Sequence, residues 1–252
     1  MLSRINPFHA ALLSLVLLLL AVIFVLAVFS EIGTLFTEGQ REFDSYRLAN
    51  FLRQTSEDLT SMARLHVVTG EQRYRDYFDE ILDIRGGVAP YPENYVSRPY
   101  WDIVLATGER PGGFAETSTL EEMAESIGIS DEAAELLLEA ERQSNDLVRL
   151  ERETMDMVAA HLEAGGDYSV VEGNLLAAVQ RLHGQEYHAA KEGIMQPLVG
   201  FADLADRGVR DFADAAVARL TRLSIALGIS LLLGILSALL LVLLLRRDAS
   251  GT

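Results

Sequence analysis

Two runs without a charged side chain, residues 10–29 (AALLSLVLLLLAVIFVLAVF) and 223–245 (LSIALGISLLLGILSALLLVLLL), bracket an acidic middle of about 190 residues. At about 1.5 Å of rise per residue, each run is long enough as a helix to cross a hydrocarbon core of roughly 30 Å. The expected organisation is a membrane hairpin with one domain on its loop. Its parts are a tail (1–9), a span (10–29), an extracytoplasmic domain (31–222), a second span (223–245) and a tail (246–252).

Basic residues orient a span where the flanking segment is short. Arg4 precedes the first run, and Arg246 with Arg247 follow the second. This predicts both termini in the cytoplasm and the middle on the far side of a bacterial inner membrane, periplasmic or extracellular. A cleaved signal peptide is the competing reading of the first run. Its 20 apolar residues exceed the usual core of about 7 to 15, and Val28-Phe29-Ser30-Glu31 offers no small-residue cleavage pattern, so an uncleaved anchor is expected.

Composition narrows the partners. Setting aside Arg4, Arg246, Arg247 and Asp248 from totals of 21 basic and 37 acidic residues leaves 18 and 36 in residues 31–222. An excess of 18 negative charges argues against nucleic acid or an anionic lipid surface, both of which are held by Lys and Arg patches. The chain has no cysteine. Disulfides, thiolate zinc sites and iron–sulfur clusters are therefore excluded, and the domain must be held by its own core.

From Glu31 to Thr69 there is no proline, and Leu48, Leu52, Thr55, Leu59, Met62, His66 and Thr69 recur at alternating steps of four and three. That is a heptad seam on a helix continuous with the first span. Gly70 ends it, and a second helix is predicted over Gln72 to Ile84. Residues 86–115 hold four of the six prolines and the only tryptophan, and read as a long loop. A short helix is expected near Leu120 to Ile127, then a longer one capped by Ser130, with a seam at Leu136, Ala140, Gln143, Leu147, Leu150, Thr154, Met157 and His161 and an end at Gly165-Gly166. The last part begins near Val171, is punctuated at Gly184 and Pro197, and continues into the second span. The 39 residues Glu31 to Thr69 and the 38 from Gln185 to Arg222 would each rise about 57 to 59 Å as straight helices. The predicted class is all-α, an antiparallel helical bundle between two transmembrane helices.

No enzyme signature is present: no G-x-G-x-x-G, P-loop, H-E-x-x-H or G-x-S-x-G. An enzyme is not expected, and no cofactor or metal is implied. His188 and Glu192, at i and i+4, are either half of a metal site or a surface pair. The polar seam residues Thr55, His66, Gln143, Thr154 and His161 either fix register or face a wet cavity. Arg53, Thr60 and Arg64 are read as lying on the face of the first helix turned away from its core. There they are solvated, or clamp an anion across a dimer. Asp58, nearer the seam, is read as pairing with a basic neighbour. Ser97-Arg98-Pro99-Tyr100-Trp101-Asp102 reads either as an aromatic plug closing the bundle or as a pocket caging a cationic amine. The candidate ligand-binding residues are thus Arg53, Asp58, Arg64, Tyr100, Trp101 and Asp102. In the second run, Ala226, Ser230, Gly234 and Ala238 make a small-residue stripe suited to self-association or to packing on the first run.

Ala63-Arg64-Leu65-His66-Val67-Val68-Thr69-Gly70-Glu71, with Tyr74 and Tyr77, resembles the helix–T-G-[DE]–helix turn of CHASE-type and four-helix-bundle extracytoplasmic sensor domains of bacterial chemoreceptors, histidine kinases and cyclases. Similar elements recur at Ser56-x-Asp58-Leu59-Thr60, Ile81-Leu82-x-Ile84-Arg85, Tyr100-Trp101-Asp102 and Tyr187-His188-x-x-Lys191-x-x-Ile194-Met195-x-Pro197. The resemblance implies a ligand-responsive bundle, usually a homodimer, that passes a small helix displacement through the membrane. Such receptors continue into a HAMP linker and an output module. Here the sequence ends five residues after Arg247, so a separate cytoplasmic or membrane signalling partner is expected. The competing expectation is a membrane-anchored accessory or scaffold subunit.

Overall fold

Leu48, Leu52, Thr55, Leu59, Met62 and His66 form a continuous buried row on α1 (Pro7–Thr69), each at most 3% exposed. The computed structural model describes residues 7–93, 95–96, 99–166 and 173–250, and every regular element among them is a helix. After α1 come α2 (Gln72–Arg85), α3 (Tyr100–Thr107), α4 (Leu120–Ile127), α5 (Asp131–Glu163), α6 (Asn174–His183) and α7 (Gln185–Ser250). Arg4, Ser97, Arg98 and Val171 lie outside the described residues.

Local chemistry sets the ends of these helices. Gly70 takes a φ of 71° and its N–H returns to the His66 carbonyl over 2.7 Å, closing α1 at the T-G-E turn. Thr119 and Glu122 form a reciprocal capping box on α4, and Ser130 Oγ accepts the Ala133 N–H at the start of α5. Gly87, at φ 70°, presses on Ser118 and Thr119: a Cβ there would come within 3.0 Å of their backbone. Only glycine lets the chain leaving α2 pass that close to the cap of α4.

The stretch read as one long loop contains α3. Pro99 stands outside the first turn, where its missing N–H costs nothing, and Gly108 closes the helix in the left-handed conformation. The prolines mark the borders of this helix rather than its absence. On either side of α3, residues 91–93 and 113–115 are joined by paired backbone hydrogen bonds, Glu93 N–H to Gly113 and Ala115 N–H to Tyr91, each 2.9 Å. Pro197 also fails to interrupt α7: buried Ile194, Leu198 and Phe201 anchor the helix on both sides of the residue that lacks a donor.

The chain divides into two compact units, residues 41–207 and residues 1–40 with 208–252. The first is organised around Leu52, Met62, Phe78, Trp101, Met155 and Tyr187, all at most 4% exposed. Its limits lie inside the expected 31–222, and Glu31 belongs to the other unit, where it meets Arg219 at 3.1 Å.

The second unit holds both apolar runs. Each is long and apolar enough to cross a membrane, with mean hydropathy of 3.3 and 2.8 in its most apolar window. Only 6% and 17% of those windows are buried, whereas a core helix of a soluble protein would be mostly covered. The contact between the runs follows steps of three and four: Ser230 Oγ donates to the Leu17 carbonyl over 2.9 Å, Gly234 faces Leu17, and Ser237 lies 2.9 Å from Ser14. This corrects the strict four-residue stripe. Ala238 is exposed and Ser237 is buried, because two packed helices meet every 3.5 residues.

Candidate functional site: two buried carboxylates

Asp58 and Glu151 are buried in the core of residues 41–207, 9% and 1% exposed. Charged side chains rarely sit there without partners. Asp58 is held by neutral donors: Tyr95 donates to Oδ2 over 2.6 Å and Gln54 Nε2 to Oδ1 over 2.9 Å. The Tyr95 oxygen in turn accepts the Trp101 Nε1–H at 2.8 Å. The basic neighbour expected for Asp58 is thus replaced by a Trp101–Tyr95–Asp58 relay. Burial pushes the Asp58 carboxyl up to about 6, against the hydrogen bonds of Tyr95 and Gln54 and with a further push from Asp102 and Glu57.

Glu151 joins three helices. Its Oε1 receives the Thr60 hydroxyl of α1 at 3.1 Å and, at closer range, the Tyr187 hydroxyl of α7. Lys191 of α7 closes the cluster, with Nζ 3.2 Å from Thr60 Oγ1, 3.4 Å from the Ser56 carbonyl and 3.2 Å from Glu57 Oε1. Burial raises the Glu151 carboxyl to about 7, opposed by the Tyr187 and Thr60 hydrogen bonds and by the charges of Lys191 and Arg85. Arg85, 3% exposed, donates to Ser144 over 2.7 Å and to Asn145, and lies in the field of Glu141, Glu151 and Tyr95. Burial depresses its own pKa.

The predicted site residues divide accordingly. Asp58 and Trp101 belong to the relay. Tyr100 packs edge-on against Trp101, with ring centroids 5.3 Å apart, and among the described residues its buried hydroxyl has no hydrogen-bond partner. Both rings are at least 96% covered, which fits the plug and leaves no open cage for an amine. Asp102 is exposed on the first turn of α3. Arg53 is exposed, with Nε 3.4 Å from Asn50 Oδ1. Arg64 reaches the Leu182 carbonyl with two donors, at 2.9 and 3.2 Å, and stacks over Tyr187 at 5.1 Å. The common outward face of Arg53, Thr60 and Arg64 is therefore corrected. Ser56, Thr60, Ala63 and Val67 form a second buried row, so α1 is covered on two adjacent stripes.

Sequence reasoning also missed Glu151 as a buried group. The α5 seam runs Leu137, Ala140, Ser144, Leu147, Glu151, Thr154 and Val158, one position off the predicted row at several steps. Of the residues placed on that predicted row, Gln143 and His161 are only partly buried. His188 and Glu192 are both exposed, and among the described residues no three His, Asp or Glu side chains are grouped as a metal ion would need.

Beside the relay a cavity of about 220 Å³ is lined by Leu48, Phe51, Tyr91, Val96 and Met123, with Asp44 and Arg47 among its polar residues. Phe51 forms a common wall: its ring lies 5.9 Å from both Tyr91 and Tyr95. No family model, curated protein or solved structure matches this chain. In space, Asp58 and Trp101 belong to the relay, Thr60, Tyr187 and Lys191 gather around Glu151, and Arg85 lies in the field of Glu151 and Tyr95.

Proposed function

We propose that this chain is a membrane-anchored sensor of the helical-bundle type. Its helices 41–207 form an antiparallel bundle between two transmembrane segments, on the extracytoplasmic side. The bundle binds a small molecule or an extracytoplasmic protein and passes the event to a signalling partner through displacement of α1 against α7, as one half of a homodimer. One observation carries the reading: the buried cluster at Glu151 ties Thr60 of α1 to Tyr187 and Lys191 of α7, and these two helices are the ones that contain the apolar runs. A stimulus that favours one arrangement of the cluster over another biases both helices, and a ligand indifferent to the two arrangements shifts nothing.

The cavity walled by Phe51 and Tyr91 is the entry for a small ligand in this reading, because its wall touches the Tyr95 relay. Thermal unfolding of the full chain in nanodiscs, screened against amino acids, carboxylates, amines, nucleotides and metal ions, tests it. A ligand at a hundred times its Kd adds about 2.7 kcal/mol. A hit abolished by Met123→Trp, which fills the cavity, supports the sensor and its entry. Silence across the panel moves the weight to a scaffold subunit, whose docking the exposed Val68, Phe114, Leu138 and Val199 would serve.

A further inference from the structure

Both groups that bond to the Glu151 carboxylate are hydroxyls brought by other helices, Thr60 from α1 and Tyr187 from α7. Among the described residues no cation bonds to it directly. Lys191, whose charge acts on it, is divided between Thr60, the Ser56 carbonyl and the partly exposed Glu57. Such a carboxylate is bonded to its surroundings through its charge. Hydrogen bonds to an ionised acceptor are roughly twice as strong as neutral ones, so loss of the charge weakens the Thr60 and Tyr187 bonds together. It also removes the attraction that holds Lys191 inward, leaving the Glu57 carboxylate as its ionic partner.

We infer that Glu151 is a proton-binding site of this domain, and that uptake of the proton loosens α7 from α1 at Tyr187 and Thr60 while Lys191 shifts toward Glu57. The inference names a ligand, the proton, for the sensor reading and rests on that reading for its consequence across the membrane. The surrounding groups set the exchange range. Arg85 of α2 and Lys191 of α7 favour the ionised form, as do the hydroxyls of Thr60 and Tyr187, while Arg64 of α1 acts on Tyr187. Burial outweighs them all and places the exchange near neutrality, at about 7. A mild acidification of the surroundings is then enough to change the occupancy.

Two measurements on the full chain in nanodiscs test this. Carbon-13 NMR of labelled glutamate carboxyls is expected to show one carboxyl titrating near neutrality, missing in Glu151→Gln. Spin labels at Ser61→Cys on α1 and Glu192→Cys on α7, both exposed positions, are expected to change separation with the same midpoint. Glu151→Gln should hold the acid-form distance at every pH, and Glu151→Asp should keep a transition. Tyr187→Phe, which keeps the ring in the core, should raise the midpoint and shrink the distance change. A Glu151 carboxyl ionised throughout, or a distance that follows pH equally in wild type and Glu151→Gln, overturns the proposal. Movement of the Ser61 and Glu192 labels without movement between labels at Ile32 and Val217 supports the proton site and overturns the transmembrane relay.

Discussion

The hydroxyl of Tyr95 donates to Asp58 across 2.6 Å and so fastens Tyr95 to the C-terminal part of α1. Because Trp101 donates to the same oxygen, the three side chains tie the first turn of α3 to α1.

Tyr95→Phe removes the stronger of the two donors and leaves a buried acceptor short of a partner. A loss of about 1–3 kcal/mol is expected in urea unfolding above neutral pH, where Asp58 is ionised. Asp58→Asn in the same background should recover part of that loss, since the charge is gone. A loss in the double variant equal to the sum of the losses in Tyr95→Phe and Asp58→Asn alone would show that the hydrogen bond contributes nothing.

Stability should fall as pH rises from about 4 to about 7 through these two groups. Asp58 and Glu151 have ordinary values of 3.8 and 4.5 and folded values of about 6 and about 7. Between the ordinary and folded values the folded chain keeps protons that the unfolded chain has released. Each group therefore favours folding below its unfolded value, and that contribution is lost through its folded value. The loss is about 3 kcal/mol per group. Asp58→Asn and Glu151→Gln should each flatten the profile in this window, measured by denaturant midpoints at a series of pH values.

Arg85→Met replaces a buried guanidinium by an apolar chain of similar length. Its donors to Ser144 and Asn145 vanish, at about 1–3 kcal/mol, and Glu151 loses a favourable cation, so its carboxyl should titrate at higher pH than in wild type. An unchanged Glu151 titration by NMR would show that Arg85 does not act on it.

The absence of cysteine makes the contact between the apolar runs directly testable. A Cβ built on Gly234 lies 3.8 Å from Leu17 Cβ, the mean separation of about 3.8 Å found in disulfides. Leu17→Cys with Gly234→Cys should form an intramolecular disulfide on mild oxidation, seen as a mobility shift on non-reducing gels. Leu13→Cys with Ile235→Cys, on exposed positions, should not.

Much of the fold was legible because apolar periodicity was clean where the residues were apolar: the α1 seam, α2, α4 and the Ser130 cap of α5 followed from the sequence, whereas the Thr119 cap of α4 did not. The candidate site was only half legible, through Asp58 and Trp101. Leu136, Leu137 and Leu138 are consecutive, so the phase of α5 could be set from any of them. A carboxylate at 151 then looked like a solvent-side residue. Ser56 and Thr60 concealed the second buried row of α1 in the same way, since small hydroxyls bond to their own helix and cost little to bury: Thr60 sits 2.9 Å from the Ser56 carbonyl. Arg64 read as outward because its partner, the Leu182 carbonyl, is backbone and leaves no trace in the sequence.

The distance between spin labels at Ile32 on α1 and Val217 on α7, 49% and 62% exposed, measured as pH is taken through the Glu151 value of about 7, tests the account most directly. The account predicts a shift of about 1–2 Å, the size of helix displacements at packed interfaces, present in wild type and absent in Glu151→Gln. A separation that stays fixed across that range in the wild-type chain, while Glu151 is seen to titrate, would contradict it.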